Sequence, residues 1–205
     1  MEKKRLIFDI DGTIIDFNSY YPSIINLFNY MGIEYTNEDI EDYIKAMMQY
    51  ERRFRRFSKE SYLNYLLKNT NIPLTKELVD YFFSEIEFLV PYKEIDKPTK
   101  EVLDYLYSKY ELVILTNYFK EVQVSRLEYL IMLKYFKEVY GPEKYRKPYK
   151  EAFLMASKPY SIDECLMIGD NPELDYMGAK KAGMDAILID PYNRQESIKT
   201  LQMKL

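Results

Sequence analysis

Residues 5–16 read Arg-Leu-Ile-Phe-Asp-Ile-Asp-Gly-Thr-Ile-Ile-Asp. The apolar run Leu6-Ile7-Phe8 passes directly into Asp9-Ile10-Asp11 and then into Gly12-Thr13. Consecutive apolar positions suit a parallel strand covered on both faces better than a half-exposed, alternating one. Such a strand delivers two carboxylates, one residue apart, to one edge of a sheet with a tight turn beside them. Hard carboxylate oxygens at that edge match the needs of a divalent cation and a phosphate ester.

Working outward, three further runs have the same character: Leu112 to Leu115, Leu166 to Ile168 and Ala186 to Ile189. Between them apolar residues recur at helical spacing. Val102, Leu103, Leu106 and Tyr110 do so in 99–110, after Pro98, and Val124, Leu127 and Ile131 do so in 121–131. A third helical pattern, 174–182, stops at Gly183, a C-terminal capping residue. This alternation predicts an α/β fold, a Rossmann-like three-layer core with a mainly parallel sheet. The segment 17–90 breaks the rhythm and reads as about four helices with no strand. One runs from Tyr20 to Met31, stopped by Gly32. A second starts near Thr36-Asn37 and carries Ile40, Tyr43, Met47, Tyr50, Phe54 and Phe57 on one stripe. A third includes Tyr62, Leu63 and Leu66, and a last follows Thr75 with Leu78, Phe82, Ile86 and Leu89. The predicted division is therefore an α/β catalytic core, 1–16 with 91–205, and an all-helical cap, 17–90, inserted after the first strand.

Composition narrows the chemistry. The 205 residues, 47% hydrophobic and 30% charged, suit one globular domain with a sizeable insertion. No apolar stretch reaches the roughly 20 residues of a membrane helix, and Asp9 interrupts the first apolar run too early for a signal peptide. The expectation is a cytoplasmic protein without a membrane partner. The single cysteine, Cys165, excludes an intramolecular disulfide. A net charge of -4 argues against a nucleic-acid polymer as partner. Histidine is absent, which removes Ser-His-Asp and Cys-His triads, histidine-ligated zinc and phosphohistidine chemistry. Acid-base work falls to Asp, Glu, Lys, Tyr or Cys165.

The predicted strand ends converge. The first runs into Asp9-Ile10-Asp11, the second into Thr116-Asn117, and the third into Gly169-Asp170-Asn171 with Asp175 close behind. In a parallel sheet these are all carboxyl ends, on the edge where such sheets bind ligands. In this order the chain resembles the haloacid dehalogenase (HAD) superfamily. Asp9-Ile10-Asp11-Gly12-Thr13 matches its first motif, Leu115-Thr116-Asn117 the second, Lys147-Pro148 the third, and Gly169-Asp170 through Asp175 the fourth. The resemblance extends from residue 5 to about 190. Two departures stand out: Tyr149-Lys150 follow the lysine-proline pair, where relatives more usually carry acidic and proline residues, and 129–133 reads Tyr-Leu-Ile-Met-Leu where relatives commonly place a glycine.

The resemblance implies hydrolysis of small phosphate monoesters with Mg²⁺ through an aspartyl-phosphate. Asp9 resembles the nucleophile and Asp11 the general acid and base. Thr116 would bind a phosphate oxygen through its hydroxyl, Asn117 would help orient the nucleophile or substrate, and Lys147 would bridge Asp9 and the phosphate. Asp9, the backbone carbonyl of Asp11 and Asp170 would hold the metal, with Asp175 in support. The implied partner is a small phosphorylated metabolite, a nucleoside monophosphate or a sugar phosphate; the aromatic cap and Thr116-Asn117-Tyr118-Phe119 favour a nucleotide. A phosphomutase shares all four motifs, and a non-catalytic phosphate sensor would keep the fold. A dehalogenase would need neither Asp11 nor a metal.

Electrostatics asks for the same residues. A carboxylate attacking a phosphate dianion meets roughly 4 kcal/mol of repulsion per charge pair at about 4 Å in an effective dielectric near 20, or about 8 in all. A divalent cation and a lysine offset that repulsion where it arises. Burial beneath the cap would favour a neutral Asp11, while metal and lysine would keep Asp9 charged. Lys144 is the alternative to Lys147 within the basic run. Arg52, Arg53, Arg55 and Arg56 interleave with Phe54 and Phe57. They form either an anion-binding wall or the wet side of a helix whose aromatic residues pack the cap, and amphipathic spacing favours the second.

Overall fold

The computed structural model describes residues 2–16, 21–71 and 95–205. The chain divides into two compact units, Met1–Phe17 with Lys93–Leu205, and Asn18–Tyr92. In the first, strands β1 (Arg5–Phe8), β2 (Glu111–Leu115), β3 (Val139–Tyr140), β4 (Cys165–Gly169) and β5 (Asp185–Leu188) form one sheet in the order β3-β2-β1-β4-β5. Every neighbouring pair is parallel. β1 is central, with Phe8 in register with Ile114 on one side and Ile168 on the other. Strand order reverses there, which is where an open α/β sheet forms its ligand crevice. The four apolar runs of the sequence are β1, β2, β4 and β5. The edge strand β3 has two residues, too few for periodicity to announce it.

Successive strand residues alternate between two cores. Leu6, Phe8, Leu112, Ile114, Leu166 and Ile168 pack with Val102, Leu103 and Leu106 of the helix Lys97–Tyr107. Ile7, Val113, Leu115, Cys165 and Met167 pack with Phe153 and the alanines 152, 156, 179 and 182. Burial on both faces explains why the runs of β1, β2 and β4 are continuous in sequence. The helix Lys97–Tyr107 starts at Asp96, whose carboxylate accepts the Thr99 N–H, with Pro98 in its first turn. Helices Lys120–Tyr129, Lys150–Ser157 and Gly178–Ala182 follow, the last ending at Gly183 as its sequence pattern predicts. Helices Arg194–Lys199 and Leu201–Lys204 close the unit and, like Lys150–Ser157, have no counterpart in the sequence reading.

Arg194 binds together the two stretches by which the chain leaves and re-enters this unit. Its Nη1 donates to the Ile14 carbonyl at 3.0 Å and to the Thr99 hydroxyl at 2.8 Å, and its guanidinium pairs with Asp96. Burial alone would raise Asp96, but the Arg194 and Thr99 hydrogen bonds override it and hold the carboxyl below its usual range.

The second unit is helical where described: Tyr21–Tyr30, Asn37–Arg53 and Lys59–Asn69. Thr36 and Asp39 form a capping box at the start of the long helix, and Ile40, Tyr43, Met47 and Tyr50 are its buried stripe. That helix stops at Arg53, one turn before the predicted stripe ends, because Phe54 is extended. The Tyr50 ring lies 4.6 Å from Phe54, 5.0 Å from Phe57 and 4.9 Å from Tyr62, so the aromatic residues pack together. Arg52, Arg53, Arg55 and Arg56 are exposed, in keeping with the packing alternative. The helix predicted after Thr75 lies outside the described residues.

The departure at 129–133 has a structural consequence. Helix Lys120–Tyr129 is followed by Leu130 and then by Ile131, which stands at φ 57 with its side chain in solvent. A β-branched residue pays roughly 1–2 kcal/mol in the left-handed region, and glycine pays none of it. Ile131→Gly should therefore raise the unfolding free energy by about 1 kcal/mol. In a urea titration this appears as a higher midpoint at unchanged slope. Ile131→Val, which keeps the β-branch, should give no gain.

Candidate active site

Three strand ends meet at the centre of the sheet. Asp9 follows β1 directly, and its N–H donates to the Ile168 carbonyl at 2.9 Å, continuing the β1–β4 ladder. Asp170 follows β4. Asp175 lies in a widened helical turn, Pro172–Met177, of the π type that is often found at functional sites. The turn is started by Pro172 and capped by the Asn171 side chain, which accepts from the N–H groups of Glu173 and Leu174. Carboxylate oxygens of Asp9, Asp170 and Asp175 lie within 4.8 Å of one another.

Two glycines make room for these carboxylates. Gly12 has φ 81, and a Cβ there would stand 2.5 Å from Asp170 Oδ2. A Cβ on Gly169 would stand 2.3 Å from Asp175 Oδ2. Neither position can carry a side chain without moving the carboxylate it faces. Beside them Thr13 is fully buried, its hydroxyl 3.4 Å from Asp170 Oδ1.

Lys147 completes the cluster. Its ammonium donates at 2.6 Å to Asp9 Oδ1 and at 2.6 Å to Asp175 Oδ1, and the side chain is buried. The other oxygen of Asp175 accepts the Asn171 N–H at 3.0 Å. Lys144 is exposed and lies over the Tyr145 ring, so of the two lysines Lys147 reaches the carboxylates. Asn117 acts on Lys147: its Nδ2 donates to the Lys147 carbonyl at 3.0 Å, and its Oδ1 accepts the Lys147 N–H at 2.8 Å. The sequence reading gave this amide to the substrate or nucleophile; here both of its ends hold the lysine backbone. Thr116 is buried, and its hydroxyl oxygen accepts from the Tyr118 N–H at 3.1 Å and from Gln123 Nε2 at 3.3 Å.

Asp11 stands apart from the acidic cluster. Its Oδ1 accepts from Arg126 Nη1 at 3.0 Å, and its Oδ2 accepts from Gln123 Nε2 at 3.0 Å. The sequence reading buried Asp11 beneath a cap; the side chain is partly exposed and paired with a guanidinium. Gln123 and Arg126 were missed because the predicted stripe of their helix was Val124, Leu127 and Ile131. The buried face is instead Val122, Gln123, Arg126 and Leu127. Two polar residues three apart, six and nine positions after Asn117, were the available signal.

The cluster is unbalanced in charge. Burial, followed by the neighbouring Asp175 and Asp170 carboxylates, pushes Asp9 well up, against the downward pull of Lys147. Asp170 is pushed up to about 6 by burial and by Asp175. Burial opposes the charge of Lys147, but Asp175 and Asp9 override it and hold the ammonium above its usual value. When all three are ionised, these carboxylates facing one ammonium leave two negative charges uncompensated, the charge of one divalent cation. Their donors are all carboxylate oxygens, which suit a hard ion such as Mg²⁺.

The sequence profile of the haloacid dehalogenase-like hydrolases matches residues 3–183. The chain belongs to this family. It is 25% identical over 200 residues to the HAD-hydrolase-type protein YfnB of Bacillus subtilis, spanning 92% of this chain and 84% of YfnB. The magnesium-bound crystal structure of YfnB superposes with a TM-score of 0.80 at 22% identity, covering all of both chains. A 2-haloacid dehalogenase from Pseudomonas syringae gives 0.73 at 19% identity over 98% of this chain and 97% of that one. A HAD phosphatase from Thermococcus onnurineus gives 0.61 at 25% identity over 91% and 86%. These likenesses establish the fold, and family membership makes the chain a HAD-like hydrolase. Among the described residues no helix is long and apolar enough to cross a membrane.

A cation held by this cluster would compete with a proton for Asp170. A carboxyl with a raised pKa keeps its proton until the pH passes that value, here about 6. Mg²⁺ should thus raise the melting temperature clearly at pH 7.5 and far less at pH 5. At a hundredfold excess over its dissociation constant the stabilisation is about 2.7 kcal/mol. Thermal scans with and without the metal check this, and Asp170→Asn should abolish the shift at both pH values.

Proposed function

We propose that the chain is a Mg²⁺-dependent phosphatase acting on small phosphate monoesters, with Asp9 as nucleophile. The observation that carries this reading is the Lys147 ammonium 2.6 Å from Asp9 at the carboxyl end of the central strand. With Asp170 and Asp175 beside it, Asp9 is a carboxylate suited to nucleophilic attack, held in a site whose single ammonium is outnumbered by its acidic groups. Asp9 and Asp170, the Asp11 carbonyl and the supporting Asp175 would hold Mg²⁺, which supplies neutralising charge to the phosphate oxygens when bound.

The residues then divide the work. Lys147 holds Asp9 in position and faces the incoming anion. The oxygen of Thr116 already accepts two hydrogen bonds, which leaves its proton to donate to a phosphate oxygen. Asp9 attacks phosphorus; its oxygen–phosphorus bond forms as the bond to the leaving oxygen breaks, and Asp11 gives that oxygen its proton. Water then cleaves the acyl phosphate, returning a proton to Asp11 and freeing Asp9. Nucleoside monophosphates and sugar phosphates are the substrate classes to which we assign the chain.

Haloalkanoate chemistry shares the fold and the first aspartate. It has no use for a carboxylate at position 11 held by two polar side chains, nor for an acidic cluster that calls for a cation. The arrangement around Asp11 and Asp170 thus supports phosphoryl transfer.

Turnover of p-nitrophenyl phosphate with and without Mg²⁺ tests the reading. Activity should depend on the metal, and Asp9→Asn should lower it by about 10⁴-fold or more with the fold intact by circular dichroism. Metal-independent turnover, or appreciable turnover by the variant, would refute it. A phosphate-release screen of nucleoside monophosphates against sugar phosphates then identifies the class.

A further inference from the structure

We propose that Gln123 and Arg126 are a positioning pair that holds the acid-base carboxylate of Asp11 and couples it to the phosphate-binding hydroxyl of Thr116. This deepens the phosphatase reading and rests on it. Both side chains lie on the inward face of the helix Lys120–Tyr129, Gln123 at 0% and Arg126 at 2% exposure. Burying a guanidinium and an amide is costly unless each finds partners. Here every partner leads to the site. Arg126 Nη1 donates to Asp11 Oδ1 at 3.0 Å, to Asp11 Oδ2 at 3.3 Å and to Gln123 Oε1 at 2.7 Å. Gln123 Nε2 donates to Asp11 Oδ2 at 3.0 Å and to Thr116 Oγ1 at 3.3 Å. The amide thereby sits between the group that exchanges the proton and the group that holds the phosphate.

A helix needs no such pair merely to dock on a sheet; two leucines would serve with less desolvation cost. What the pair adds is a fixed direction for a carboxylate that is not part of the Asp9, Asp170 and Asp175 cluster. Asp11 must be aligned with the leaving oxygen in one half of the reaction and with water in the other. Without its tethers it would rotate freely about its side-chain bonds.

Leaving groups distinguish this role from simple structural support. A departing dinitrophenolate needs no proton, whereas phenolate does, so only the second ester depends on a well-placed Asp11. The comparison is of kcat/KM, which reports events up to formation of the aspartyl-phosphate. Arg126→Met should lower kcat/KM for phenyl phosphate by about 100-fold and for dinitrophenyl phosphate by less than about 5-fold. Arg126→Lys should recover part of the loss. On dinitrophenyl phosphate the Arg126→Met variant should also show a burst of dinitrophenolate, because water activation by Asp11 then becomes slow. Should Arg126→Met fail to fold, Gln123→Met carries the test: because Gln123 also holds Thr116, both esters lose some rate, with the loss on phenyl phosphate about 10-fold the larger. Equal losses on both esters, or no loss on phenyl phosphate, would overturn the positioning role. Wild-type protein that hydrolyses neither ester would overturn the phosphatase reading and this inference together, whereas an active wild type with leaving-group-independent variants would overturn only this inference.

Discussion

One ammonium shared between two buried carboxylates organises this protein. An isolated ion in the interior costs several kcal/mol, and it persists only where opposite charge and hydrogen bonds replace water. Lys147 meets that condition by touching Asp9 and Asp175 together. Asp175 in turn needs the Asn171 N–H, the widened turn that aims it, and the missing side chain of Gly169. The amide of Asn117 holds the backbone that carries the lysine. The end of β2, the loop before the helix Lys150–Ser157 and the turn after β4 are thus bound to a single point, where β1 stops.

Much of the core was legible because burial on both faces of a parallel sheet writes itself as unbroken apolar runs. β1, β2 and β4 are found that way, and the residues just past them are the acidic and hydroxyl groups of the site; the edge strand β5 carries an apolar run although it is only partly buried. What was not legible depended on partners distant in sequence. Gln123 and Arg126 look like the solvent side of an amphipathic helix until Asp11, 112 and 115 residues away, is placed beneath them. Asn117 looks like a ligand group until the Lys147 backbone, 30 residues on, is seen to occupy it. Polar residues in the interior serve particular partners, and periodicity carries no information about which.

The second unit follows a different logic. Its sequence stripe predicted a helix continuing through Phe57, yet the backbone extends at Phe54 and the rings gather around Tyr50 from a loop and a second helix. Aromatic side chains are large enough to meet from non-helical backbone, so their spacing overstates the length of the element that carries them. The arginines between them occupy the exposed positions this packing leaves.

The central place of β1 also bears on how the chain is made. Arg5 pairs with Glu111 across 106 residues, and β4, its other neighbour, comes later still. During synthesis Leu6, Ile7 and Phe8 therefore emerge long before either flanking strand exists to cover them. Contacts so remote in sequence form slowly, and an unpaired apolar strand is adhesive while it waits. Asp9 cannot find its place until the sheet closes on both sides of it, which makes assembly of the acidic cluster a late event in folding.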